Sequence, residues 1–100
     1  MDAHPEPTPP EEPVSVLARD GNRAVVHLPG RRFPALAVQG DTLSTLRDDA
    51  AEALELLASA EVEEATETLR LLVDDLGELL GFYEQVLGDL GMQLPYVRRA

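Results

Sequence analysis

The chain has 100 residues, a length that supports one domain with a single modest core. It contains no cysteine, which excludes disulfides and thiolate metal sites, and no apolar run approaches the roughly 18 residues of a membrane span. The formal net charge of -11 argues against nucleic acid as the direct ligand, because phosphate contacts need a basic field. These features predict a soluble cytoplasmic protein.

The first thirteen residues, MDAHPEPTPPEEP, are rich in proline and glutamate and nearly free of apolar side chains. Such a segment cannot bury enough surface to offset the entropy that is lost when it becomes ordered. Its acidic start is the reverse of a secretory signal peptide. We therefore expect a disordered tail over residues 1–13 and one folded domain over residues 14–100.

Two strand-like segments follow the tail. Apolar residues alternate over residues 14–18 and again over residues 24–28, on either side of the turn-forming dipeptide Asp20-Gly21. This pattern is typical of a β-hairpin. The alternation predicts that the even-numbered residues of both segments point inward, which leaves Val25 on the outer face.

A third strand and a first helix come next. Pro34 has no amide hydrogen to donate to a strand ladder, so the third strand is expected after it, over residues 35–39. Gly40 then stops the strand, and Asp41 or Thr42 can place a side-chain oxygen on the exposed amides of a first helical turn. The apolar residues that share one face of this helix are Leu43, Leu46, Ala50, Ala53, Leu54 and Leu57.

The second helix has the strongest periodic signal and begins after a break at residues 58–60. Apolar residues recur at alternating steps of three and four, which is typical of a heptad seam. The seam consists of Val62, Ala65, Leu69, Leu72, Leu76, Leu79, Tyr83, Val86 and Leu90, with Val73, Leu80 and Leu87 as a second stripe beside it. We expect Leu72, Leu76 and Leu79 in the core. The first helix is about 24 Å long and the second about 40 Å, so part of the seam must meet the sheet, the C-terminal tail or another chain.

Four glycines interrupt or follow the second helix. Gly77 and Gly81 fall off the seam and cost helix propensity, roughly 1 kcal/mol each relative to alanine. They are either tolerated surface positions or points where another backbone packs closely. Gly88 or Gly91 is expected to end the helix.

The periodicity switches from two residues to a heptad at Thr42, and this switch predicts the α+β fold class. The architecture that we expect is a three-stranded antiparallel sheet packed on an antiparallel two-helix hairpin. The second helix of that hairpin is the long C-terminal helix.

No catalytic or cofactor-binding motif accompanies this architecture. The serines have no Gly-x-Ser-x-Gly context, and neither a Walker loop nor a dinucleotide-binding glycine motif occurs. The helical carboxylate pairs lack the Glu-x-x-His pattern of bridging metal sites, because no histidine follows His27. We expect His27 to be a plain surface residue. The prediction is therefore a protein that is not an enzyme and that uses no metal or cofactor.

Charge is divided unevenly along the chain. Residues 14–47 carry more arginines than acids, whereas Arg70 is the only base over residues 48–89. This division predicts an acidic helical face that binds a basic protein partner, and the simpler alternative is that the acids serve solubility. The candidate contacts on this face are Glu63, Glu64 and Glu67.

The loop of residues 28–34, which we call the LPGRRFP loop, is the second candidate contact. Two prolines stiffen it, and it presents Arg31, Arg32 and Phe33, residue types that are enriched at interfaces. The alternative is an internal role, in which the arginines pair with the chain's own acidic helices and Phe33 fills the core.

The run QGDTL and the helix that follows it resemble the HicB-like antitoxin domain, in a likeness that covers residues 14–57. The residues that carry the resemblance are Gln39, Gly40, Asp41, Thr42, Leu43, Ala50, Glu52, Ala53 and Leu54. That family runs three strands into a Gly-Asp-Thr turn and a helix, after a Pro-Gly loop like Pro29-Gly30. It continues with a further strand and often a DNA-binding segment, whereas here a long heptad helix follows. The whole chain also looks like small acidic proteins of unknown function from high-GC bacteria.

Two functions are consistent with these features. The first is a non-catalytic protein-binding module of the antitoxin or immunity kind, whose acidic helical face binds a basic protein. The second is a small structural or accessory subunit that self-associates as a homodimer through the long heptad helix. Neither function uses direct contact with nucleic acid or a membrane.

Overall fold

The computed structural model describes residues 11–97. The elements are β1 (Ser15–Asp20), β2 (Arg23–His27), β3 (Ala35–Val38), α1 (Gly40–Ala58) and α2 (Val62–Asp89). The predicted α+β class is confirmed, with a three-stranded antiparallel sheet, a helical hairpin formed by α1 and α2, and a long second helix. Most of the predicted disordered tail lies outside the described residues, and residues 11–13 have no regular secondary structure.

The sheet has the strand order β1-β2-β3, and its first turn depends on glycine. Gly21 has a φ of 64°, a conformation in which a side chain would be strained, and this confirms the predicted turn. In the register, Val25 lies opposite Ala18 on one side and Leu36 on the other. Residues that are directly opposite in an antiparallel pair share a face, so these three side chains form one row that faces α2.

The inward face of the β-hairpin differs from the predicted one. Val25 is fully buried, whereas Val16 and Leu28 are exposed. The register shifts between Val16 and Ala18, and this bulge directs Leu17 as well as Ala18 toward the core. In β2, Val25 shares its face with Arg23 and His27, whereas Ala24 and Val26 form the opposite face, so the alternation indicated the face that the helix does not cover.

The main core lies between the sheet and the C-terminal part of α2. Its buried members are Val25, Tyr83, Val86 and Leu87, packed by Leu17, Ala18, Leu36, Phe82, Met92 and Leu94. The Tyr83 hydroxyl donates a buried hydrogen bond of 2.6 Å to the backbone carbonyl of Pro34. This bond joins the residue before β3 to α2.

The start of α1 is held against the β1–β2 turn. The backbone amide of Thr42 donates to Oδ1 of Asp41 at 2.8 Å, from within the first turn. The N-cap residue is Gln39, which makes no side-chain capping hydrogen bond, so neither Asp41 nor Thr42 caps the helix as predicted. The side-chain amide of Asn22 donates to Oγ1 of Thr42 at 2.6 Å, and the amide of Gln39 donates to the Asn22 carbonyl at 3.2 Å. These bonds orient the helical hairpin relative to the sheet.

Two residues after the end of each helix lies a residue with positive φ, Ala60 at 61° after α1 and Gly91 at 69° after α2. After each of them, the next backbone amide donates at 2.8 Å to a carbonyl in the last helical turn. Such bonds satisfy carbonyls that the helix itself leaves without a donor. The predicted break at residues 58–60 is confirmed, and Gly91 rather than Gly88 follows the end of α2.

Candidate protein-binding surfaces

The helical hairpin leaves a continuous apolar surface exposed. Leu76, which the heptad pattern placed in the core, is 42% exposed, and Leu72 and Leu79 are only half-buried. That prediction was wrong for Leu76 because α1 covers only one edge of an apolar face that is wider than a two-helix contact. The exposed set, which we call the apolar stripe, consists of Leu43, Leu54 and Leu57 of α1 and Val62, Leu69, Val73, Leu76 and Leu80 of α2.

Both helices present their part of the apolar stripe on the same side of the hairpin. Each residue advances about 100° around a helix axis, so on both helices the stripe lies roughly 90° from the face that contacts the other helix. Viewed from the N-terminus of each helix, the rotation from the interhelical face to the stripe has the same sense. Because the two helices run antiparallel and face each other, this equal rotation leads to the same side of the hairpin. The two parts of the stripe therefore form one surface and do not face in opposite directions.

The opposite side of the hairpin is acidic. Helical geometry places there the exposed residues Asp48, Glu52 and Glu55 of α1 and Glu64, Glu67, Asp75 and Glu78 of α2. A cleft of about 280 Å³ is lined by Thr45 of α1, by Asp75 and Glu78 of α2, and by Asn22 of the first turn and Arg23 of β2. The cleft shows that both helices contribute to this surface, which we call the acidic side.

The three glutamates predicted as contacts are exposed near the N-terminus of α2. Glu64 and Glu67 lie on the acidic side, whereas Glu63 lies on the outer edge of α2, away from α1. Nη1 of Arg70 is 3.1 Å from Oε1 of Glu67, in an exposed ion pair that contributes little to stability. Within residues 11–97, Glu63 and Glu64 form no ion pair.

The pKa of Glu64 is shifted by its acidic neighbour Glu61. A side-chain hydrogen bond with Glu61, together with the negative charge of Glu61, raises the pKa of Glu64 above its ordinary value. The folded state therefore binds this proton more tightly than the unfolded state, and the folded state loses stability as the pH rises through that pKa.

We expect the variant Glu61→Gln to lower the pKa of Glu64, because it removes the like charge and supplies an amide that can donate to the carboxylate. A titration followed by NMR of the side-chain carboxyl carbons measures this pKa directly. Glu67→Gln is the control, since Glu67 makes no contribution to the raised pKa, and it should leave the Glu64 titration unchanged. An unaltered Glu64 titration in Glu61→Gln would contradict the prediction.

The LPGRRFP loop is held by its own neighbours. A ring nitrogen of His27 donates to the backbone carbonyl of Arg31 at 2.7 Å, and the amide of Arg31 donates to the carbonyl of Leu28 at 3.3 Å. The guanidinium of Arg32 lies over the ring of Phe33, 5.0 Å from its centroid. His27 was expected to be a plain surface residue, and its role in the loop depends on a fold that brings it to Arg31.

Neither arginine of the loop pairs with the acidic helices. The ion pairs within residues 11–97 join Arg23 to Asp20, Arg47 to Asp48 and Arg70 to Glu67. The loop arginines, Arg31 and Arg32, are exposed, and Phe33 is half-buried outside the main core. The internal alternative, in which these arginines pair with the chain's own acids, was wrong. A cleft of about 500 Å³ separates the loop from Pro95.

The structure does not bring the two groups of predicted contacts together. The loop is anchored through the carbonyl of Pro34 to Tyr83, near the C-terminus of α2, whereas Glu63 lies at its N-terminus. Twenty residues of helix separate Tyr83 from Glu63, a distance of about 30 Å. A single partner must therefore extend along α2 to contact both groups.

Metal sites and membrane-spanning helices are both absent from the part of the chain that the structure describes. Residues 11–97 contain no group of three or more histidine, aspartate or glutamate side chains arranged to hold a metal ion. Neither α1 nor α2 combines the length and the apolar character that a helix needs to cross a membrane.

Comparison with known proteins shows the family of the chain. Residues 10–96 match the model of a family of unknown function, DUF6959, so the match extends from before β1 to beyond the end of α2. No curated protein and no solved structure matches the chain significantly. Because the match spans both the sheet and the helical hairpin, this chain belongs to the DUF6959 family of unknown function.

Proposed function

We propose that the protein is a non-catalytic protein-binding module of the antitoxin or immunity kind, whose acidic side binds a basic protein. The observation that carries the proposal is the concentration of exposed carboxylates on one side of the helical hairpin, opposite the apolar stripe. The resemblance of residues 14–57 to the HicB-like antitoxin domain supports the same class. A cytoplasmic location is part of this proposal.

The acidic side has few bases of its own to neutralise it. Arg47 and Arg70 are the only bases of the hairpin, and each pairs with one acid, Asp48 at 3.3 Å and Glu67 at 3.1 Å. The pKa of Glu64 is raised by a side-chain hydrogen bond with Glu61 and, beyond that, by repulsion from the negative charge of Glu61. A basic surface would relieve this repulsion and would be attracted over a distance of about 10 Å at moderate ionic strength.

The LPGRRFP loop supports a second contact with the same partner. Arg31 and Arg32 make no ion pair with a described carboxylate, and both are exposed. Their planar guanidinium groups suit bidentate binding of a carboxylate. The proposed partner therefore presents basic residues to the acidic side and, about 30 Å away, a carboxylate to the loop.

We expect the double variant Glu64→Lys with Glu67→Lys to slow association with the basic partner recovered from the native host by about tenfold at low salt. The wild-type association rate should fall steeply as salt is added, and that of the variant should fall less. Stopped-flow or biosensor association kinetics across a salt series measure both quantities, and circular dichroism verifies that the variant is folded.

The matched control is Glu11→Lys with Glu12→Lys, which changes the net charge by the same amount at exposed positions outside the hairpin. It should slow association much less than the hairpin variant. Equal slowing in both variants would mean that only net charge matters, and unchanged kinetics in the hairpin variant would mean that the acidic side serves solubility alone.

A further inference from the structure

We propose that the apolar stripe is the interface for a second copy of this chain, so that two helical hairpins pack into a four-helix bundle. This inference goes beyond the proposed function, because it uses the side of the hairpin opposite the acidic side. It accounts for an exposed surface on which Leu54 is 67% exposed and Val73 is 64% exposed. Single exposed apolar residues are ordinary, whereas a continuous set along two helices marks an interaction surface.

Helix α2 carries two adjacent heptad seams, of which the chain itself uses one. The seam toward α1 includes the buried Ala65 and the half-buried Leu72 and Leu79. The second seam runs along the apolar stripe in steps of four and three and consists of Val62, Thr66, Leu69, Val73, Leu76 and Leu80. Thr66 is its one polar member, and its hydroxyl donates to the Val62 carbonyl within the helix. A helix with two such seams has the pattern of a bundle helix that packs against two neighbours. Within the described chain, α1 is its only helical neighbour.

Helix α1 also carries two adjacent seams, one toward α2 and one along the apolar stripe. Its buried residues, Leu46 and Ala53, face α2. A second seam again steps by four and three and consists of Leu43, Arg47, Ala50, Leu54 and Leu57, in which the exposed Arg47 is the one charged residue and pairs with Asp48. A second copy supplies a surface of matching length and matching period by symmetry. Two-fold dimers are the commonest oligomers, and they join one patch to the same patch on the other subunit.

Gly77 is consistent with the close approach of another helix. Helical geometry places it beside the apolar stripe, and a Cβ atom at Gly77 would have no atom within 4 Å. Nothing in the chain itself therefore requires glycine there, although glycine lowers the propensity of this helix. The backbone of a second copy could pack closely there, in the space that a larger side chain would occupy.

The size of the surface meets the requirement of a specific dimer. Helix α1 has 19 residues and is about 28 Å long, and two packed helices are about 20 Å wide. Their common face projects roughly 550 Å² per subunit and roughly 1,100 Å² for the pair, above the minimum of about 1,000 Å² for a specific interface. The area is also mainly apolar, as it is at interfaces between identical subunits.

Electrostatic repulsion between two copies does not prevent this dimer, although each chain has a net charge of -11. When the apolar stripes meet, the acidic sides point outward on the two faces of the bundle. They are then separated by about 20 Å, beyond the Debye length of about 8 Å at physiological salt. The resulting dimer would present two acidic sides, one from each copy.

The test is sedimentation equilibrium of the full chain over a range of concentrations. We expect a monomer–dimer equilibrium that is nearly insensitive to salt, because the interface is apolar. Val73→Asp should weaken dimerisation by about 100-fold or more, since it buries an unpaired charge in the interface. Val73 is exposed in the single chain, so the variant should keep its helical circular dichroism.

Leu71→Asp is the matched control, because Leu71 is 56% exposed on the same helix but lies outside the apolar stripe. It should leave the dimer intact. If Val73→Asp unfolds the chain, Leu54→Asp tests the same surface from α1. A wild-type monomer at every concentration would overturn the proposal, and so would a dimer that resists Val73→Asp and Leu54→Asp. Neither result would affect the proposed binding of a basic partner, which depends on Glu64 and Glu67.

Discussion

Leu87→Ala should lower the free energy of unfolding by about 2–5 kcal/mol, because Leu87 is fully buried in the core between the sheet and α2. The truncation removes apolar surface that folding had taken from water, and it leaves a cavity that the surrounding residues fill only in part. Urea unfolding followed by circular dichroism measures the loss. All variants must be compared at one protein concentration, because the proposed dimer would make the stability of the chain depend on concentration.

The control for this prediction is Leu71→Ala, in which the same truncation is made at an exposed position on the same helix. It should change the free energy of unfolding by no more than about 0.5 kcal/mol. Equal losses in Leu87→Ala and Leu71→Ala would show that the core does not lie where the structure places it.

Tyr83→Phe should lower the free energy of unfolding by about 1–3 kcal/mol. The ring that packs in the core is retained, but the buried carbonyl of Pro34 loses the hydroxyl that donates to it at 2.6 Å. A buried acceptor without a donor loses its bond to water on folding and gains nothing in return. The same urea unfolding measurement determines this loss.

Burial of Tyr83 adds a pH signature, because it raises the pKa of the phenol above its ordinary value of 10.0. The folded state holds the phenol proton more tightly than the unfolded state. The stability that the neutral phenol contributes is therefore complete below pH 10 and is lost as the pH rises above it. We expect the wild type to lose stability faster than Tyr83→Phe in alkaline solution. Parallel stability profiles of the two proteins would contradict this interpretation.

Local sequence patterns determined the order of the elements and the turns that separate them. Asp20-Gly21 predicted the first turn because the backbone there needs a positive φ, and Gly21 has one. The steps of three and four predicted the long helix α2, and the lack of periodic residues at 58–60 predicted the break before it. These features depend on neighbours in the chain, so the sequence alone was sufficient to find them.

The tertiary structure decided which face of each element meets which neighbour. Periodicity shows that residues share a face, but it does not show what covers that face. Val25 is buried because α2 lies on its side of the sheet, and Leu76 is exposed because the chain supplies only α1 beside α2.

The same limit applies to the candidate surfaces. The sequence indicated Glu64 and Arg31 as contacts but could not show that about 30 Å separates their two groups. It predicted that part of the α2 seam must meet another element, yet the apolar stripe became visible only when both helices were placed. Packing is decided by contacts between residues that are distant in the chain, and local periodicity contains no information about those contacts.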